Sequence, residues 1–418
     1  MTTTTTTAMT STAIAQYIKT TSESNRRTGY EYLKRLESFQ DFISQNYDFK
    51  IDDLTLSKMF NVDVYELLSS YVSYLINKTS DDGYNISSLT IKQRVTTAKN
   101  FLEYFDFDIS PRKFKIKVKI PKIVRRLREA LNREDIVKIL EACTSVKLKT
   151  FVLCLAATGL RSSECCSIRL MDIDFKKGKI SIRGEFTKTK QDHYVFMTSE
   201  LAEQLNSWLD YKYRPRIHYS TLERKNIEFT PMIEETDLVF ASSFVFDKHT
   251  KKMRLKTSTT VMTKKDQHKV IKLLYIPLAV QFDRVLDQLK VGYEDASKRR
   301  RKVTFHSLRR AYKSIVSNLG YSDYSEWALN HRGSPYYQVS EKDKYKIFKK
   351  IEPEITFLNQ RIIVERHADM QTRLEAMEQE NQMLRQKDSI NADAIASLSD
   401  KMQELMTKVH EVEKRQEY

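Results

Sequence analysis

Apolar residues recur every three or four positions through the first hundred residues of the chain. Tyr30, Leu33, Leu36, Phe39 and Ile43 form one stripe, Tyr65, Leu68, Tyr71, Val72 and Leu75 a second, and Ile91, Val95, Ala98, Phe101 and Leu102 a third. This spacing gathers the apolar side chains on one face of a helix. Residues 12–108 are therefore expected to form an all-helical domain, the third helix capped by Ser88 or Thr90, behind a Thr-rich flexible tail at 1–11. The period then drops to two. Phe114, Ile116, Val118 and Ile120 alternate with Lys113, Lys115, Lys117 and Lys119, which predicts extended chain with one apolar and one charged edge in a linker over 109–131.

A second domain is expected over 132–358. Asn132, with Asp135 three residues on, caps a helix carrying Ile136, Ile139 and Leu140. Phe151, Val152, Leu153 and Leu155 lead into Thr158-Gly159. Lys179–Arg183 and His193–Met197 read as two strands of a hairpin turning at Thr187–Lys190, followed by a helix around Leu201, Leu205 and Leu209. Asp237–Phe240 reads as a short buried strand, and the stretch from there to Lys272 as a polar, basic insertion without a clear period. An amphipathic helix follows around Val280, Phe282, Val285 and Leu289.

From Ile362 onward there is no Gly or Pro, and a heptad is readable. One core row runs Ile363, Met370, Met377, Leu384, Asn391, Leu398, Leu405, Val412, and the other His367, Leu374, Asn381, Asp388, Ile395, Met402, Val409. Sustained 3-4 spacing predicts a coiled coil over 359–418, and a core Asn favours a parallel dimer in register. The expected architecture is mainly α with a small β-sheet: a helical N-terminal domain, an α+β second domain and a coiled-coil tail.

Charge narrows the partner. The chain of 418 residues carries a formal +16, and its last 58 residues hold nine basic against twelve acidic side chains, so the body before them stands at +19. A basic body suits a polyanion, most simply double-stranded DNA. Nine Lys/Arg and no acid lie between Arg112 and Arg128; Lys113, Lys115, Lys117, Lys119, Arg125 and Arg126 are the phosphate contacts expected there, with Arg299 and Arg300 in the basic run Lys298–Lys302. No apolar run is long enough for a bilayer and the N-terminus lacks a signal-peptide pattern, so a cytoplasmic, chromosome-associated protein with no membrane contact is expected. Cys143, Cys154, Cys165 and Cys166 lack paired ligand spacing and read as small buried hydrophobes rather than a zinc site.

Three separated stretches carry the chemistry. Thr158-Gly159-Leu160-Arg161-Ser162-Ser163-Glu164 places Arg161 and Glu164 on one helix face. Far downstream come His306-Ser307-Leu308-Arg309-Arg310 and Leu329-Asn330-His331-Arg332-Gly333. In order and spacing these three boxes resemble the tyrosine recombinase (phage integrase) family, over about residues 12–358, and Glu352–Leu358 resembles archaeal members.

The resemblance implies a helical core-binding domain joined to a catalytic domain. It also implies DNA strand cleavage and rejoining through a covalent 3′-phosphotyrosine, for integration or excision of a mobile element by a tetramer on paired sites. Arg161 and Arg309 would clamp the scissile phosphate, Lys188 (or Lys190) would protonate the leaving 5′ oxygen, His306 would accept the tyrosine proton and His331 would hydrogen-bond the phosphate. The family's usual spacing puts the nucleophile at Ser340, which is no phenol. The candidates around it are Tyr336, favoured by a Ser-Pro-Tyr-Tyr stretch like that of archaeal relatives, and Tyr337 and Tyr345. No cofactor is expected, because the phosphotyrosine ester conserves the bond energy without ATP or metal. A type IB topoisomerase-like relaxase and a non-catalytic dimeric DNA-binding protein are the alternative functions. The coiled-coil tail would make the chain a homodimer before it meets DNA.

Overall fold

The computed structural model describes residues 11–358 except 25, 57–61, 80–82, 84, 124–130, 221–224, 248–251, 256–263, 294–300 and 332–338; beyond 358 it describes 377, 382–385, 391, 397–399, 401–403 and 406. The chain divides into two units, Met1–Arg128 and Glu129–Tyr418.

The first unit is helical: α1 (Thr12–Ser24), α2 (Arg26–Asn46), α3 (Ile51–Leu56), α4 (Val64–Asn77), α5 (Ser88–Tyr104) and α6 (Pro111–Lys117). The predicted stripes meet in one core, with Leu36, Phe39 and Ile43 of α2 against Leu68, Tyr71 and Leu75 of α4 and Val95, Ala98 and Phe101 of α5. Tyr30 departs from its stripe. Its ring is 55% exposed and lies under the Lys34 ammonium at 5.1 Å, a cation–π pairing at the surface. The cap of α5 is Ser87, one residue before the expected start, its hydroxyl accepting the Thr90 N–H at 3.2 Å.

The linker forms a helix where extended chain was expected. Ser110-Pro111 opens α6, and proline at the first helical position loses no intrahelical hydrogen bond while its fixed φ suits the turn. Phe114 and Val118, one turn apart, then face the core, which leaves Ile116 exposed. A period of two and a step of four both bring these two residues inward; the proline decides between them. Lys113, Lys115, Lys117 and Lys119 all lie exposed, Lys117 pairing with Asp63 at 2.9 Å.

The second unit opens with α7 (Arg133–Ala142), capped as expected by Asn132 and Asp135 in a reciprocal capping box. Helix α8 (Val146–Thr158) follows. It is buried on every side from Phe151 to Thr158, and an all-round apolar helix of this kind belongs at the centre of its domain. A short α9 (Ser162–Cys166) precedes a three-stranded antiparallel sheet, β1 (Ile173–Asp174), β2 (Lys179–Ile182) and β3 (His193–Phe196), in that order. Ile180 faces Val195 and Ile182 faces His193 across β2 and β3. Side chains alternate between faces. Ile180, Ile182 and Val195 enter the main core, whereas Phe196 joins a second cluster, with Tyr194 packed against it.

Helix α10 (Ser199–Tyr213) comes next. The chain after it contains two hairpins, β4 (Arg216–Ser220) with β5 (Lys225–Phe229) and, within the expected insertion, β6 (Phe244–Asp247) with β7 (Lys252–Leu255). Asp237–Phe240 is buried as expected but makes only an isolated bridge, Leu238 to Arg169. Side chains of α10 take the carbonyls a strand partner would have used. Trp208 Nε1 donates to Val239 O at 2.9 Å and Lys212 Nζ to Leu238 O at 2.8 Å. Helix α11 (Lys264–Gln288) is longer than its apolar stripe indicates and contains Pro277. It is followed by α12 (Phe305–Asn318), α13 (Ser322–Ala328) and α14 (Glu341–Ile351).

All four cysteines are unpaired thiols and buried. Among the described residues no helix is long and apolar enough to cross a membrane. The predicted coiled coil falls almost wholly outside the described residues. Those described beyond 358 are helical, with Met377, Leu384, Leu398 and Met402 exposed.

Candidate active site

Gly159 ends α8 at φ 68°, in the left-handed region, and a Cβ there would lie 2.6 Å from both Leu329 Cδ2 and Tyr312 Cδ1. Conformation and crowding both demand glycine. The turn frees the Gly159 carbonyl and lets α9 restart with Arg161 as its cap residue.

Glu164, on the first turn of α9, has no exposed surface. Its Oε2 accepts the Arg161 backbone N–H at 2.9 Å and its Oε1 accepts from the Arg161 guanidinium at 2.6 Å. Its Oε2 also stands 3.9 Å from Nη1 of Arg309, far away in sequence on α12. One buried carboxylate therefore faces two guanidiniums, and the two predicted arginines converge on it. Arg309 is further pinned by backbone: Nη1 donates to Gly159 O at 2.7 Å and Nη2 to Leu329 O at 2.5 Å. Burial, followed by the nearby Arg161 charge, pulls the Arg309 pKa down to about 10, so it stays a cation at neutral pH.

His331 completes the cluster. Its Nε2 lies 3.1 Å from Arg309 Nη2, and its Nδ1 is 2.7 Å from Glu326 Oε2. Glu326 is paired with Lys313 as well, and those two hydrogen bonds, Lys313's the larger, hold its carboxyl below the ordinary carboxylate pKa. A guanidinium can only donate, so His331 Nε2 accepts and the ring proton sits on Nδ1 facing Glu326. His306 lies exposed on the first turn of α12, one turn before Arg309 on the same helix.

Lys188 sits on the tip between β2 and β3. It is exposed, and its ammonium makes no hydrogen bond or ion pair among the described residues. Lys190, the second candidate there, folds back onto Glu185 O at 3.3 Å. Tyr345 belongs elsewhere: its ring packs on Phe196 at 5.3 Å, on the sheet face opposite Val195 and His193, and takes the Lys349 ammonium at 5.4 Å. Tyr336, Tyr337, Arg125, Arg126, Arg299 and Arg300 lie outside the described residues.

Two residues at this centre carry no role in the sequence reading, although Asn330 stands within the third box. His193, on β3, feels the charges of Glu164, Arg161 and Arg309, and burial above all lowers its pKa. Its polar side chain at an inward position of a strand, in register with buried Ile182, was the available signal. Asn330 contacts it, Nδ2 lying 3.1 Å from His193 Nδ1.

Residues 129–275 match the phage integrase family, a span that includes Arg161 and Lys188. Over that span the chain is similar to the phage integrase, or tyrosine recombinase, family. The tyrosine recombinase XerA of Saccharolobus solfataricus is 29% identical over 170 residues, covering 38% of this chain and 55% of that protein. XerA of Pyrococcus horikoshii is 26% identical over 154 residues, covering 37% and 51%. The matched region thus spans about half the length of these phage integrase relatives. A lambda integrase dimer bound to a COC′ core site superposes with a TM-score of 0.48 at 12% identity, over 78% of this chain and 97% of that one.

Proposed function

We propose that this protein is a site-specific DNA recombinase that cuts and rejoins strands through a 3′-phosphotyrosine, integrating or excising a mobile element. The observation that supports it most is the meeting of Arg161, Arg309 and His331 around Glu164. Glu164 can balance one of the two guanidinium charges, so the cluster keeps net positive charge at a partly exposed spot beside the Arg161 side chain. A phosphodiester is the anion such a fork fits, since planar guanidiniums grip paired non-bridging oxygens and stabilise the charge that grows on them in the transition state.

In this reading the phenol oxygen of Tyr336 attacks the phosphorus and His306 takes the phenol proton. The bond to the 5′ oxygen breaks, and Lys188 gives that oxygen a proton. His331 releases its contact with Arg309 to donate to the phosphate, solvent supplying a proton to its Nε2 while the Nδ1 proton passes to solvent by way of Glu326. Attack of a 5′ hydroxyl from another duplex on the phosphotyrosine reverses each transfer and restores a phosphodiester. Tyr337 remains a candidate beside Tyr336, whereas the packing of Tyr345 on Phe196 speaks against it. Double-stranded DNA is the partner, with exposed Lys113, Lys115 and Lys119, and Arg125, Arg126, Arg299 and Arg300 from the sequence, offered to its phosphates. Two chains pair through the tail, and four act on paired sites.

The test is covalent capture. A pool of nicked duplexes of randomised sequence lets the cleaved strand fragment diffuse away, trapping protein on DNA. Wild type should yield an adduct resistant to denaturant, and peptide mapping should place it on Tyr336. Arg309→Ala should lower its formation at least a hundredfold, as loss of a positioned donor does. No adduct from any sequence in the pool would overturn the enzyme reading; an adduct on Tyr337 would move the nucleophile by one residue.

A further inference from the structure

Helix α13 ends in a Schellman motif. The Asn330 N–H donates to Trp327 O at 2.9 Å, the His331 N–H donates to Glu326 O at 3.0 Å, and Asn330 sits at φ 47°. Glycine is the usual residue at this left-handed position, and asparagine is one of the few alternatives that tolerate it. Here the side chain does what a glycine could not. Asn330 is 9% exposed, and its Nδ2 donates to Thr189 Oγ1 at 2.9 Å and lies 3.1 Å from His193 Nδ1.

The directions of these bonds agree. The Thr189 hydroxyl hydrogen goes to Thr187 Oγ1 at 3.4 Å, which leaves its lone pair for the amide. Burial, and after it the two arginine charges working against Glu164, lower the His193 pKa, which suits a ring whose Nδ1 accepts. Both amide hydrogens of Asn330 are thereby engaged with the β2–β3 hairpin. One end of this link is Thr189, next in sequence to Lys188. The other is the turn whose Leu329 carbonyl holds Arg309 and whose next residue is His331.

We propose that Asn330 is a positioning residue that fastens the Lys188-bearing hairpin tip to the Arg309–His331 turn, holding the proton donor in register with the phosphate clamp. The proposal rests on the recombinase reading and on Lys188 as donor to the leaving oxygen. Without the link the hairpin tip has no other described side-chain bond to that turn, and the ammonium would spend less time at the departing atom. The clamp itself keeps its backbone anchors.

The experiment compares leaving groups on the full-length chain, with a nicked duplex recovered by covalent capture from the randomised pool. One version carries the natural bridging 5′ oxygen at the scissile phosphate, the other a bridging sulfur, which departs as a thiolate and needs no proton. Asn330→Gly preserves the left-handed backbone and removes only the amide. Its single-turnover cleavage should fall about a hundredfold on the oxygen substrate and return to within a few-fold of wild type on the sulfur substrate. Thr189→Val, which removes the acceptor from the hairpin side, should show the same pattern, and Lys188→Ala a deeper one. Arg309→Ala should stay slow on both. Equal slowing of Asn330→Gly on both substrates, or none on either, overturns the positioning role while leaving the recombinase reading intact. A Lys188→Ala variant that sulfur does not rescue removes the donor the link was to serve and overturns it too. A wild-type chain that cleaves neither substrate overturns both readings together.

Discussion

Glu164 has no exposed surface, yet it is the anion on which Arg161 and Arg309 meet. Removing one member of a buried ionic group costs far more than the group contributes, because the remaining charge is left uncompensated. Glu164→Gln keeps the shape and deletes the charge, leaving Arg309 buried beside Arg161 without a counter-ion. Urea unfolding should show a loss of about 3 kcal/mol, and adduct formation should drop with it; an unchanged midpoint would mean the carboxylate is not the organising charge. At this scale the sequence was legible where neighbours in the chain are neighbours in space. Arg161 and Glu164 are one turn apart, as are His306 and Arg309. It was silent on Asn330 and Thr189, which meet across 141 positions through a single hydrogen bond that leaves no periodicity and no charge pattern.

Among the elements, helices with one apolar stripe were readable and those whose neighbours decide their form were not. Helix α6 had an alternating pattern that only Pro111 and the core contact of Phe114 resolve. Asp237–Phe240 had the composition of a strand, but Trp208 and Lys212 of α10 occupy its carbonyls. That second contact has a measurable consequence. Lys212 is fully buried, its ammonium on Leu238 O and 4.6 Å from the Tyr213 ring centre, and burial lowers its pKa to about 7. In the unfolded chain the same amine holds its proton up to about pH 10. Between these values the unfolded state binds more protons, so this residue makes stability rise with pH from about 7 to about 10; below 7 both states are protonated and its contribution is flat. Lys212→Met should therefore flatten the rise in urea midpoint between pH 7.5 and 9.5 relative to wild type, and a variant with an unchanged slope would show that the amine is already hydrated in the fold.

At the scale of the whole molecule, what remains is how a basic body and an acidic tail divide the work. The body carries +19 and the last 58 residues −3, so the tail is poorly suited to a phosphate backbone and needs another use. Its described residues are helical, and Met377, Leu384, Leu398 and Met402 all fall on the two heptad core rows while standing exposed in the single chain. Apolar side chains at that spacing bury themselves best against a second copy, and Asn381, at an a position of the repeat, favours two strands in parallel register over higher assemblies. The full-length chain should therefore sediment as a dimer without DNA. Leu384→Glu with Leu398→Glu should make it a monomer, since like charges in both core positions oppose pairing. If the fold of the body stands apart from the tail, that double variant should keep the wild-type unfolding midpoint of the body and the wild-type rate of adduct formation on a single nicked site. Its joining of two separate duplexes, which needs protomers brought together, should fall steeply at low protein concentration and recover as concentration rises. A double variant that still sediments as a dimer would place the pairing surface outside the tail, and one that loses adduct formation on a single site would show that cleavage itself needs the partner chain.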